Sequence, residues 1–201
     1  GFAGEDGRII IKAPVLEEGK NINGWSVVKS EFPKVAEQYK AGRHLRINHS
    51  KDMEDVIGKS FDGKVILGKD VELYIGRVIE GINPEGLYVA AEFEATPRDP
   101  QVRTNILKGY VETGSIGLEA EAFCDTCDAP LNMDSEGRMD KTCHHLNASV
   151  HLQNVAVKEY SYVAEPAFEH TVAYPSFAAA VSSTIRESSL LSSPIKIEQM
   201  S

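Results

Sequence analysis

Short β-branched or alternating runs recur along the chain, and they constrain its fold more than any other feature. Arg8-Ile9-Ile10-Ile11-Lys12-Ala13-Pro14-Val15 is a β-branched run closed around a proline. Leu45-Arg46-Ile47-Asn48-His49 alternates apolar and polar residues, which places His49 near a strand end or the following turn. Thr113 to Phe123 alternates again, and Val155 to Val163 is β-rich up to Pro166. A period of two puts every second side chain on one face, the pattern of a strand with one covered side. Glu72 to Ile82 and Leu87 to Ala95 flank Asn83-Pro84-Glu85-Gly86, a turn sequence, so the expectation there is a β-hairpin.

Helical patterns are confined to two places. One runs from Glu31 to Ala41 and stops at Gly42, where a glycine suits a helix C-cap. The other opens at Thr96-Pro97-Arg98-Asp99, an N-cap residue followed by proline, with Gly109 near its end. Its apolar face is Val102, Ile106, Leu107 and Tyr110. The fold class expected is mainly β with peripheral helices (α+β), an antiparallel β-barrel carrying helices on its outside. A chain of 201 residues, 42% hydrophobic and 25% charged, suits one soluble domain. That domain is expected over residues 1–175. Residues 176–201 contain eight serines and little periodicity; such a segment buries too little apolar area to offset its ordering entropy, and it reads as a flexible tail.

The net charge is −9 and the sequence pI about 5.2. No Lys/Arg cluster forms the basic face that a nucleic-acid partner needs, so none is expected. Between Val111 and Asp140 eight acidic residues stand against the single base Arg138, a pattern that is usually a solvated face. No segment approaches the roughly 18 apolar residues of a membrane span, and Gly1 to Asp6 carries no charged-then-apolar leader pattern.

The three cysteines all lie between Cys124 and Cys143. An odd number so clustered argues against a disulfide framework and for a reduced compartment. Cys124-Asp125-Thr126-Cys127 is a C-x-x-C pair, and Cys143-His144-His145 follows after fifteen intervening residues. Four soft or borderline ligands at that spacing close a Zn²⁺ tetrahedron. The expected ligands are Cys124, Cys127, Cys143 and His145, with His144 and His151 as alternatives to His145. The polar insert could not fold on a core of its own, so a structural zinc knuckle at about 123–146 would supply what it lacks.

Six histidines and many serines do not by themselves define a nucleophile. Ser115 sits in Thr113-Gly114-Ser115-Ile116-Gly117, whose glycines permit close backbone approach. Residue chemistry alone leaves it open between a nucleophile and a small buried residue in a β-bulge.

Three segments in order bear on that choice. Arg46-Ile47-Asn48-His49-Ser50 is followed by Val56-Ile57-Gly58. Gly86-Leu87-Tyr88-Val89-Ala90-Ala91-Glu92-Phe93 precedes a helix and then Gly114-Ser115-Ile116-Gly117-Leu118. Glu159-Tyr160-Ser161-Tyr162-Val163-Ala164-Glu165-Pro166-Ala167 closes the set. Together they resemble the tailed-phage prohead (capsid-maturation) serine protease family, which is related in fold to the herpesvirus assemblins.

The resemblance implies Ser115 as nucleophile, His49 as general base and Glu159 as the residue orienting the imidazole. Ser161, Glu165 and His170 are alternative third members, and His44 is a competing base. Backbone amides, with Arg98 or Arg103, are candidates for the oxyanion donors. It also implies an endopeptidase whose substrates are capsid and scaffold proteins, acting in the host cytoplasm inside the assembling prohead; a homo-oligomer is compatible with it. Family members cut after Glu in Leu/Ile-x-Glu sequences, and Ile185-Arg186-Glu187 and Leu16-Glu17-Glu18 fit that pattern as self-cleavage sites. Two rivals come from other classes: a non-catalytic head-assembly module working through the zinc knuckle, and a metal-dependent hydrolase centred on the Cys/His cluster.

Overall fold

The computed structural model describes residues 8–133, 139–140, 145 and 149–175. The strands are β1 (Ile9–Glu17), β2 (Trp25–Val27), β3 (His44–Ile47), β4 (Val56–Leu67), β5 (Leu87–Ala95), β6 (Gly114–Cys124), β7 (Pro130–Met133), β8 (Met139–Asp140), β9 (Val150–Tyr162) and β10 (Tyr174–Pro175). Three helices accompany them: α1 (Phe32–Lys40), α2 (Gly68–Ile75) and α3 (Pro100–Leu107). The class is mainly β with some helices, α+β, as the alternating runs imply. No helix among the described residues is long and apolar enough to cross a membrane.

The strands form one sheet in the order β10-β1-β5-β4-β3-β9-β6-β7-β8, with β2 on β9 off that path. The expected barrel is not formed. β10 is two residues long and reaches only β1. On the far side β6 carries the β7 hairpin at Ala122 and Phe123, and one isolated bridge, Thr113 to Val172, links the segment before β10 to the start of β6. One bridge is not a ladder, so the sheet stays open. Nor is every neighbour antiparallel, since β2 and β3 both run parallel to β9.

The expected hairpin at Asn83–Gly86 is also corrected. Glu72 to Ile75 belongs to α2, not to a strand, and β5 lies antiparallel between β1 and β4. Gly76 ends α2 in the left-handed region at φ 80°, with its N–H on the Glu72 carbonyl, an αL stop that only glycine reaches at little cost. The second predicted helix starts later than expected. Asp99, not Thr96, is its N-cap, accepting from the N–H groups of Gln101 and Val102, and Pro100 occupies the first turn. On that helix Ile106 is buried but Tyr110 is 70% exposed.

The core lies between α1 and the face of the sheet that carries Phe93 and Tyr160. Phe32, Val35, Ala36 and Tyr39 form the buried stripe of α1. Tyr39 meets Phe93 edge-on at 5.8 Å, and Phe93 stacks on Tyr160 at 5.3 Å. A Cβ at Gly63 would overlap the Ala36 carbonyl, so this glycine lets α1 lie directly on β4. Two polar side chains of α1's segment also complete β9. Between its pairing with β2 and with β3, the N–H of Val155 donates to Glu31 (3.0 Å) and that of Val157 to Gln38 (2.8 Å), while Gln38 Nε2 donates to the Val155 carbonyl (2.9 Å). Backbone groups that no strand reaches are thereby satisfied.

Candidate active site and candidate metal centre

Strand alternation decides which side chains meet. Tyr160 and Tyr162 of β9 point into the core, so Glu159 and Ser161 point to the opposite face. β6 lies antiparallel to β9 with Ser115 opposite Ser161 and Gly117 opposite Glu159. Directly opposed residues share a face and have Cβ atoms about 5 Å apart. Ser115 is therefore on the face that carries Glu159. A Cβ at Gly117 would overlap Glu159 Oε1, so the missing side chain is what leaves room for the carboxylate.

On the other side of β9, β3 runs parallel with Arg46 opposite Ser161 and Ile47 opposite Tyr162. The Asn48 N–H donates to the Tyr162 carbonyl at 2.8 Å, and the chain then leaves the sheet. Asn48 and His49 both adopt positive φ, 51° and 52°. Two successive non-glycine residues in that region are costly unless their surroundings hold them. Arg46 Nη1 does so by donating to the carbonyls of Ser50 (2.7 Å) and Asp52 (3.1 Å), and the His49 N–H donates to Ser161 Oγ at 3.2 Å.

This turn aims the His49 ring at Glu159, with Nδ1 2.6 Å from Oε1. Because the carboxylate accepts, Nδ1 carries the proton and Nε2 is the free, basic nitrogen. The hydrogen bond to Glu159 raises the His49 pKa above its ordinary value; burial opposes the shift and the carboxylate's charge adds to it. Ser161 Oγ donates to the second carboxylate oxygen of Glu159. No hydrogen bond joins Ser115 to His49 among the described residues. A cavity of about 510 Å³ opens beside the ring, with Trp25, Ile116, Leu118 and Leu152 in its walls.

Of the expected triad, then, His49 and Glu159 are in contact and Ser115 is on the same face one strand away. Of the alternatives, Ser161 lies in the same site, bonded to Glu159 and to the His49 N–H, and the others fall elsewhere. His170 Nδ1 bonds Glu17 at 2.7 Å, and Glu165 is exposed. His44 is exposed at the start of β3 and lines a separate cavity with Lys59 and Arg98, which also takes Arg98 away from Ser115. Nothing in the sequence singles out Arg46, and Gly117 shows there only that close backbone approach is possible; the parts both play depend on a turn and a cross-strand approach that no local pattern displays.

At the far end of β6 the chain turns through the C-x-x-C segment. The Cys124 N–H donates to the Ala129 carbonyl (3.0 Å), the Asp128 N–H to the Cys124 carbonyl (2.8 Å), and Asp128 takes φ 57°. Cys124 is buried, Cys127 and His145 are exposed, and their ligand atoms all lie within 4.8 Å of one another. Cys124 Sγ is 3.9 Å from His145 Nδ1. Ligands of a tetrahedral zinc sit roughly 3.3–3.8 Å apart, given metal–ligand bonds of about 2.0–2.3 Å, so this group could hold a metal ion. Cys143 and His144 lie outside the described residues. His151 is not poised as a ligand: its Nδ1 is 3.0 Å from Asp125 and its Nε2 3.1 Å from Asp128, and its ring stacks on Phe123. It brackets the turn from β9 instead.

No family model, curated protein or solved structure matches the chain.

Proposed function

We propose that the protein is a serine endopeptidase of the prohead-maturation type, cleaving scaffold and capsid-protein segments inside an assembling capsid. The observation that carries this reading is the His49–Glu159 hydrogen bond, which leaves Nε2 basic on the sheet face that bears Ser115. In the reaction, Ser115 Oγ attacks the scissile carbonyl carbon while His49 Nε2 accepts its proton. The tetrahedral intermediate collapses, the C–N bond breaks, and the imidazolium returns that proton to the leaving amine. Water, deprotonated by the same nitrogen, then hydrolyses the Ser115 ester. Glu159 keeps Nδ1 protonated throughout and stabilises the imidazolium. An unmade Ser115–His49 bond before substrate arrives is compatible with this chemistry, since such contacts tighten in the substrate complex.

The Cys124, Cys127 and His145 group is assigned to structural zinc, with Cys143 as fourth ligand. Four protein ligands leave no coordination position for substrate, which favours bracing over metal catalysis. The expected self-cleavage site at Glu187 lies outside the described residues. The same metal turn supports a second reading, a head-assembly module whose working surface is the knuckle.

Ser115→Ala decides between them. The peptidase reading expects loss of cleavage of capsid and scaffold peptides by about 10⁴-fold or more, with fold and metal content retained. A variant that cleaves as wild type does removes Ser115 from the mechanism; catalysis stopped by a chelator in a protein that stays folded would point to the metal instead.

A further inference from the structure

Two serines face each other across β6 and β9, and they are not equivalent. Ser161 is fully buried, and Ser115, buried too with 8% of its surface exposed, lies one strand nearer the free end of the sheet. The Ser161 hydroxyl is committed in both directions. It donates its proton to Glu159 Oε2 and accepts the backbone N–H of His49 at 3.2 Å. A hydroxyl has one proton to give, so Ser161 has none left for another partner. It thus hydrogen-bonds both halves of the dyad, the carboxylate that orients the ring and the backbone that carries it.

That backbone needs holding. His49 and Asn48 are consecutive left-handed residues, and such positions are costly when nothing over-determines them. Arg46 fixes the turn downstream through the Ser50 and Asp52 carbonyls, and Tyr162 fixes it upstream through Asn48. Ser161 holds its centre. β9 is a long, doubly paired strand, so an anchor on it is rigid, and a loop that rocks against such an anchor moves the imidazole off Glu159.

We propose that Ser161 is a positioning residue, which locks the left-handed His49 backbone and the Glu159 carboxylate into one unit and so fixes the imidazole. The kinetic consequence rests on the peptidase reading above, but the placement itself does not. The test is an NMR titration of the His49 ring, with exchange of its backbone amide, in wild type, Ser161→Ala and Ser161→Thr. Alanine is expected to drop the His49 pKa toward its ordinary value by about half a unit or more and to speed amide exchange; threonine, which keeps the hydroxyl, restores both. Ser161→Cys keeps the volume with a weak donor and must show the same fall, which covers an alanine variant that does not fold. In cleavage assays, alanine lowers kcat about tenfold and leaves KM within about twofold. A titration and exchange rate unchanged from wild type overturn the assignment, whatever happens to cleavage. The expected shifts in a protein without peptidase activity would instead sink the peptidase reading and leave the placement of Ser161 standing.

Discussion

Gly117 is the residue on which the site geometry turns most sharply, because its function is to be absent. The Glu159 carboxylate occupies the space where a Cβ would stand, and from there it reaches His49. Gly117→Ala is therefore expected to push Oε1 off Nδ1 and to lower the His49 pKa toward its ordinary value, measured by ring titration. An unmoved titration would show that the carboxylate can sidestep a methyl group. The sign for activity follows from the base's role. Only neutral His49 accepts a proton, so a raised pKa moves the ascending limb of the pH–rate profile to higher pH, and any variant that loosens Glu159 moves it back. Sequence alone displayed the partners but not the fit. Ser115, His49 and Glu159 stand in motif segments, and the glycines around Ser115 suggested close approach. Which atom approaches Gly117 depends on a cross-strand register separated by more than forty residues, from Gly117 to Glu159. Local periodicity carries no such information.

At the scale of elements, β9 holds the molecule together along one edge by three different means. β2 pairs with its start, Glu31 and Gln38 serve its middle, and β3 pairs with its end. Gln38→Ala is expected to leave the Val157 N–H and Val155 C=O without their partners, costing about 1–3 kcal/mol in a denaturant titration. A loss within experimental scatter would mean that water replaces the amide. The turn beyond β6 makes a separate prediction. Elemental analysis should find close to one zinc per chain, Cys124→Ser should release it, and a metal-free preparation with unchanged thermal stability would remove the metal from the account. Elements were unevenly legible in the sequence. β1, β5, β6 and β9 stand out as β-branched or alternating runs. β4 does not, because Lys59, Asp62, Gly63 and Lys64 interrupt its apolar positions and a register shift between Ser60 and Asp62 breaks the period. The Glu72–Ile75 stretch failed in the opposite direction: Leu73, Tyr74 and Ile75 favour a strand locally, but Val71 and Ile75, four apart, pack with Tyr88 as one helix face.

Over the whole molecule, the mainly β class was readable from composition and periodicity, and barrel closure was not. Closure depends on whether β1 and β6 hydrogen-bond to each other, and here a two-residue strand and one bridge stand between them. The His49–Glu159 pair sits where the chain leaves β3 beside the interior strand β9, with the His49 side chain 42% exposed. Its contribution to stability is correspondingly small, and its sign is fixed by the raised pKa. The contribution is fully present below the unfolded-state pKa of His49 and is lost as pH rises through the higher folded value. Catalysis and stability thus pull in opposite directions across that window, since the neutral ring that lacks the added ion-pair stabilisation is the one that accepts a proton. Labelling with a fluorophosphonate, followed by peptide mapping across a pH series, tests the Ser115–His49 pair most directly. A single adduct on Ser115 is expected, forming faster as His49 loses its proton and absent in His49→Ala. No adduct on Ser115, or one that forms equally fast without His49, would contradict that pairing.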